Sequence, residues 1–312
     1  MSTEQRRIFA FSGVLKPQPG GPPPGALVNF AIGLAATSRP VRRLCYIPTA
    51  VGDRQDAIDH HAARFADRDD IEFSVLRLFT QPSVPDVRAH LLSQDVILVE
   101  GGSVVNLIAV WRAHGLPQVL RECWEAGTVL TGASAGSLCW HVGGPTDSYR
   151  DSLDPFTGGL AFLPHSNGVH DDLDDQPRRT SFRELIANGE LPAGYATEDG
   201  VGLLYAGTTL LEAVTTLPGR HAWHVTPDGN GGYAEQAIVP RLIITTTTTG
   251  QGLAPTRQTR ARFPLHSRRQ RSAHEASAAN YLSQPSSGAH SHSLDAPARD
   301  HGANYVSRCQ LS

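Results

Sequence analysis

The sequence predicts an α/β protein: a three-layer, mostly parallel sheet flanked by helices, followed by a disordered C-terminal tail. Three observations predict it. Strand-like apolar runs alternate with helical patterns over roughly the first 140 residues, the signature of βαβ units with helices on both faces of a parallel sheet. Two of the buried runs end directly in glycine-rich loops, Gly101-Gly102 and Gly132 to Gly136. Hydrophobic residues make up 40% of the 312-residue chain and charged residues 18%, enough apolar material for a globular core.

The elements follow in order. "RRIFAFSG" and "RRLCYIPTA" read as short strands separated by the Pro/Gly-rich loop "KPQPGGPPPG". "DRQDAIDHHAARFAD" has helical character and "IEFSVLRLF" is strand-like. "VPDVRAHLLSQ" reads as a helix with Asp86 near its start, where a carboxylate caps free N–H groups. "DVILVEGG" is a buried strand, and "SVVNLIAVWRAHG" is a helix that Gly115 ends. "LPQVLRECWEAG" is the next helix, "TVLTGAS" a strand, and "AGSLCWHV" opens another helix. Ligands of such sheets bind outside the carboxyl ends of the strands, where both glycine-rich loops fall.

Composition changes sharply near residue 245. The rest is rich in Ser, Thr, Ala, Gln, Arg and His and has lost apolar periodicity. This divides the chain into an α/β domain over 1–244 and a low-complexity tail over 245–312 that is expected to stay disordered. The formal net charge of -3 gives no reason to expect a nucleic-acid partner. No apolar run is long enough to span a membrane, and "MSTEQRRIFAFSG" lacks a signal-like apolar core. Cys45, Cys123, Cys139 and Cys309 show no CxxC spacing; they read as reduced thiols of a cytoplasmic protein, with Cys45 and Cys139 as small core residues. No His/Cys/Asp cluster has metal-ligand spacing, so neither metal nor cofactor is expected.

Gly132-Ala133-Ser134-Ala135-Gly136 fits G-x-S-x-G, a sharp turn from strand into helix with the serine at its tip. The small neighbours avoid clashes, and the N–H of Ala135 at the helix start faces a developing oxyanion. Ser137, inside the helix, reads as a capping or packing residue. A serine nucleophile needs a base and an orienting acid. Asp147, His165 and His170 follow, and the short Ser…Asp…His spacing argues against the α/β-hydrolase fold. His141, on the helix itself, reads as a packing residue.

Several stretches together resemble the peptidase E family of serine peptidases, whose fold is like that of class I glutamine amidotransferases. They are "IPTA", "DVILVEGGSVVNLIAVWRAHGL", "GASAGSLCW", "TDS", "GLAFLPHSNGVHDD", "RRTSFRELIANGELPAGYATEDGVGLLY" and "HAWHV". They cover about residues 6–244 in the family's order. The resemblance implies Ser134 as nucleophile, His170 as base with His165 as its rival, and Asp147 as the acid, with Asp151 and Asp171 as solvated loop charges. It implies oxyanion donors at Gly102 and Ala135. It implies substrate contacts from Arg178, with Arg179 not separable from it, and from Glu198 beside Asp199; Arg178 would read an N-terminal acidic residue through its guanidinium. One departure stands out: where the family carries a third glycine, this chain has Glu100, whose carboxylate opposes an oxyanion if it points inward.

The activity so implied is acyl transfer to water on small peptides, including dipeptides with an N-terminal acidic residue. Open beside it are a cyanophycinase-like exopeptidase, an amidotransferase-like hydrolase, which normally carries cysteine at position 134, and a non-catalytic binding member of the fold. The expected partner is a small peptide, and the sheet's edge strands offer a route to a homodimer.

Overall fold

The computed structural model describes residues 6–13 and 25–243. The expected tail and most of the early Pro/Gly-rich loop lie outside the described residues. The strands are β1 Arg7–Phe11, β2 Arg42–Ile47, β3 Ile71–Val75, β4 Val96–Val99, β5 Val129–Ala133, β6 Gly144–Thr146, β7 Asp154–Phe156, β8 Ser166–Val169, β9 Gly194–Thr197, β10 Val201–Ala206, β11 Thr209–Thr215, β12 Ala222–Pro227, β13 Tyr233–Ile238 and β14 Arg241–Leu242. The helices are α1 Ala26–Gly33, α2 Gln55–Phe65, α3 Val87–Leu92, α4 Val104–Ala113, α5 Leu116–Glu125, α6 Ala135–Leu138 and α7 Arg178–Ala187.

The main sheet runs β14-β11-β10-β1-β5-β4-β2-β3. The β1, β5, β4, β2 and β3 strands pair in parallel, as the sequence predicts. Beyond β1 the sheet turns antiparallel through β10 and β11. Strand alternation assigns the two faces. Ile8, Ala10, Cys45, Ile47, Ile97, Val99 and Leu130 pack with α4 and α5 through Leu107, Trp111, Leu120 and Trp124. The intervening residues Phe9, Phe11, Leu44, Tyr46, Val96 and Leu98 pack with Leu27, Ile32, Ile58 and Phe65 of α1 and α2. The result is three layers, and strands covered on both faces read as continuous apolar runs, as VILV of β4 does.

Helix starts match their local chemistry. Asp86 caps α3 by accepting the Ala89 N–H at 2.9 Å, and Ser103 caps α4 by accepting that of Asn106 at 3.2 Å. The Cys45, Cys123 and Cys139 thiols are buried and unpaired, and burial pushes those of Cys45 and Cys123 up to about 12.

The sequence left a second sheet, β13-β12-β9-β8, unmarked. Phe182, Leu185 and Ile186 of α7 pack on its face against Ala196 and Val225. β8 and β9 are parallel, with Val169 opposite Thr197. Their carboxyl ends therefore deliver residues 170 and 198–199 to one place.

His141 is fully buried; burial pushes it down to about 4, against the pull of its bond to the Ser137 carbonyl at 2.9 Å. A histidine with a lowered folded pKa is stabilising above its unfolded pKa, and that contribution is lost as pH falls toward the folded one. The predicted loss between about pH 6.5 and 4 is about 3 kcal/mol. Denaturant titrations of wild type and His141→Gln across this range check it: the difference in unfolding free energy narrows as pH falls. A constant difference contradicts it.

Candidate active site

The last residues of β1 and the two that follow hold the site together. The carbonyl of Phe11 accepts the N–H of Ser134 at 3.0 Å. The hydroxyl of Ser12 accepts the N–H of His170 at 3.0 Å. The carbonyl of Gly13 accepts the N–H of Gly200 at 2.6 Å. Three consecutive positions thus anchor the serine turn from the main sheet, the histidine after β8 and the turn after β9. The Ser12 hydroxyl has one proton and two lone pairs, and all are used. It donates to the Thr197 carbonyl at 2.8 Å and lies 2.7 Å from the Thr197 hydroxyl.

Ser134 sits at φ 53 and ψ -110 as the residue before α6. A non-glycine residue there costs about 1–3 kcal/mol and persists only where its surroundings enforce it. They do so through glycines. A Cβ on Gly132 would lie 2.5 Å from the Gly136 carbonyl oxygen, and one on Gly136 would overlap the Val99 carbonyl. The turn is closed by bonds to the Ser134 carbonyl from Ser137 and Leu138, both at 2.9 Å. Within this stretch only Ser134 is partly exposed; Ala133, Ala135, Gly136 and Ser137 are buried. Ser137 donates to Asn167 Oδ1 at 2.8 Å and so packs, as expected.

His170 also has positive φ, at 58. Its Nδ1 lies 2.6 Å from Asp199 Oδ1, with both side chains largely buried. In the neutral imidazole an Nδ1–H donated to the carboxylate leaves Nε2 as the acceptor. The sequence reading gave the orienting role to Asp147; the structure instead sets Asp199 against Nδ1. Asp147 follows the β6 strand, and its Oδ2 takes bonds from Arg178 at 3.0 Å and Gln176 at 3.1 Å. His165 lies at the opposite end of β8 from His170, roughly 15 Å away at strand spacing. There its ring meets that of Tyr195 edge-on.

The loop after β4 has a distinctive pattern of donors. The N–H of Glu100 goes to Ile47 O, that of Gly101 to Glu100 Oε1, that of Ser103 to Ala50 O and that of Val104 to Ser148 Oγ. Gly102 alone in this run has no hydrogen-bond acceptor among the described residues. The same holds for Ala135, at the first position of α6, where no intrahelical acceptor exists. Gly102 has φ +131, and a Cβ on it would lie 2.5 Å from the Ala50 oxygen, so only glycine fits. The loop abuts the serine: a Cβ on Gly101 would stand 3.3 Å from that of Ser134.

Glu100 points away from this edge, into the face covered by α2. Its Oε2 is bonded by the Tyr46 hydroxyl and lies 2.8 Å from His61 Nε2. Burial pushes its carboxyl up, but His61, Tyr46 and the Gly101 N–H together outweigh that and hold it below the usual carboxylate range.

The remaining residues expected to meet substrate are engaged inside the protein. Arg178 is 7% exposed and bound to Asp147 and Gln176. Arg179 reaches Asp171 and Glu235 and lies over the Trp223 ring. Glu198 Oε2 accepts the His221 N–H at 3.0 Å. Asp171 is not a solvated loop charge: it is buried and paired with Arg183 at 2.7 Å. Asp151 is exposed. Among the described residues no group of three or more His, Cys, Asp or Glu side chains is placed to hold a metal, and no helix is long and apolar enough to cross a membrane.

The sequence model of Peptidase family S51 matches residues 31–213. The chain belongs to peptidase family S51. The kinship with peptidase E read from the motifs is upheld. This S51 chain is 37% identical over 195 residues to the uncharacterized peptidase YgaJ of Bacillus subtilis (strain 168), covering 62% of this chain and 81% of the relative. Its fold is similar to that of a peptidase from an acI-B1 Actinobacterium, with a TM-score of 0.54 at 19% identity over 75% of this chain and 94% of the other.

The anchoring by Ser12 makes a prediction. Ser12→Ala leaves the His170 N–H unpaired in a buried place and takes from the Thr197 carbonyl one of its two donors, the Asp171 N–H at 3.0 Å remaining, so unfolding free energy falls by about 1–3 kcal/mol. Urea unfolding of the two proteins measures it, and an unchanged midpoint contradicts the anchor.

Proposed function

We propose that this S51 peptidase is a serine-type enzyme that hydrolyses short peptides through an acyl-enzyme on Ser134. One observation carries the reading. Two strained residues, Ser134 and His170, come from different sheets, and their N–H groups are held by the consecutive residues Phe11 and Ser12. Asp53 and Ala161 also have positive φ, so the support lies in a serine and a histidine that are both strained and both tied to adjacent residues of one strand end.

In this reading His170 Nε2 takes the proton of the Ser134 hydroxyl as Oγ bonds to the scissile carbonyl carbon. The carbonyl electron pair moves onto oxygen, where the N–H groups of Gly102 and Ala135 bind it; removal of one such donor typically costs about 10²–10³ in rate. His170 then gives the proton to the departing amine as the C–N bond breaks. Water, activated by His170, releases the acid and restores Ser134. Asp199 keeps the imidazole in its tautomer and balances its charge. Glu100 does not argue for a non-catalytic member of the family, because its carboxylate is turned from the oxyanion position.

For substrate we propose short peptides without selection of an acidic residue by Arg178. A substrate carboxylate would have to displace Asp147 from that guanidinium.

A fluorophosphonate probe is expected to label the wild type and Ser137→Ala but not Ser134→Ala; an unlabelled, folded wild type contradicts the reading. Asp199→Asn is expected to lower kcat by about 10³–10⁴, and Asp147→Asn by less than about tenfold. The reverse ranking returns the orienting role to Asp147. On a panel of Asp-X, Ala-X and β-aspartyl dipeptides, Arg178→Ala is expected to keep the Asp-X to Ala-X ratio of kcat/KM. A fall in that ratio of about tenfold or more makes Arg178 the reader after all.

A further inference from the structure

The chemistry proposed for Ser134 leaves one buried ionic group without a task. Glu100, Tyr46 and His61 meet on the α2 face of the sheet, directly beneath the loop that carries Gly102. Glu100 and His61 are 8% and 6% exposed and Tyr46 fully buried, and the Tyr46 and His61 rings lie 4.3 Å apart. A buried carboxylate is costly unless fully bonded, and an apolar side chain of similar size is often no less stable in its place. Fold stability alone therefore does not account for Glu100.

We propose that Glu100 is a positioning residue that aims the Gly102 N–H at the reacting oxygen; this rests on the serine-peptidase reading above. Glu100 is joined to the loop by its own chain and by a second link, Oε1 to the Gly101 N–H at 2.9 Å. That bond turns the Gly101 N–H down toward the α2 face and fixes the peptide plane before it. Oε2 cannot shift without breaking its bonds to Tyr46 on β2 and His61 on α2, two elements built into the core. On the far side Gly102 is pressed against the Ala50 carbonyl, which also accepts the Ser103 N–H at 2.9 Å. The loop is thus pinned on both sides of Gly102, and the Gly102 N–H alone in that run has no acceptor among the described residues. A donor held in place before the reaction stabilises the transition state without reorganising. Such a device affects kcat and leaves ground-state binding alone.

The test compares steady-state kinetics and melting temperatures of the wild type, Glu100→Leu, Glu100→Gln and Tyr46→Phe on one dipeptide substrate. Glu100→Leu removes the acceptor of the Gly101 N–H; kcat is expected to fall about 10²-fold with KM unchanged within about threefold. Glu100→Gln retains an oxygen for that N–H and turns its amide toward Tyr46 and His61; it is expected to recover kcat to within about tenfold of wild type. Tyr46→Phe loosens Oε2 while preserving core volume, and kcat is expected to fall about three- to tenfold with KM unchanged. If Glu100→Leu does not fold, Tyr46→Phe decides. Folded variants with wild-type kcat overturn the proposal, as does a change confined to KM, or a loss in Glu100→Gln equal to that in Glu100→Leu. An inert wild type instead refutes the peptidase reading on which the proposal rests.

Discussion

The site depends on the short segment Phe11-Ser12-Gly13 at the end of β1. β1 lies inside the main sheet, between β5 and β10, so its end is fixed by pairing on both sides. From there one carbonyl holds Ser134, one hydroxyl holds His170, and one carbonyl holds the turn that carries Asp199. The Asp199–His170 pair comes from the smaller sheet and Ser134 from the larger. The β1 end ties the two halves together at the site, beside the bond from Ser137 of α6 to Asn167 of β8. Catalysis by proton transfer tolerates little misplacement, so a rigid link of this kind is what such an arrangement needs.

Strain and rigidity are two sides of one design. Ser134 and His170 both have positive φ, and each is bound through its N–H to the β1 end. The environment of His170 is stiffened further by its neighbour. Asp171 is buried between Arg183 and Arg179, and Glu235 of β13 bonds both arginines. Asp172 in turn accepts the Asp199 N–H and pairs with Arg220. Asp172 therefore ties the loop after β8 to the turn after β9, and Asp171 ties it to α7. A buried pair of this sort contributes little net stability but makes alternative arrangements costly.

Much of the main sheet was legible because buried parallel strands leave continuous apolar runs with glycines at their ends, as in "DVILVEGG". The antiparallel extension and the second sheet were not. β13, "YAEQAI", is almost wholly exposed, and β8, "SNGV", is buried yet nearly without apolar side chains, so hydrophobic periodicity marks neither. A local cue for the β10–β11 hairpin does exist: Gly207, at φ 55, opens its two-residue turn. At α1 no side chain caps the start, which is Gly25 in the left-handed region, so no capping signal precedes it. At the site, Ser134 and the glycines around it are local geometry and could be read from residue types alone. The partner of His170 could not, because it depends on β8 and β9 lying side by side in parallel. Aspartates are frequent near His170, and only that pairing selects Asp199 from Asp147 and Asp171. The direction of Glu100 is likewise a matter of what lies beneath it, Tyr46 and His61, which are distant in sequence.

The measurement that bears most directly on this account is a high-resolution structure of the fluorophosphonate adduct. The account predicts phosphorus bonded to Ser134 Oγ and the phosphonyl oxygen accepting from the N–H groups of Gly102 and Ala135. It also predicts His170 Nδ1 on Asp199, with the His170 N–H still on the Ser12 hydroxyl. An adduct whose oxygen lies away from Gly102, or whose imidazole is held by Asp147, would contradict it.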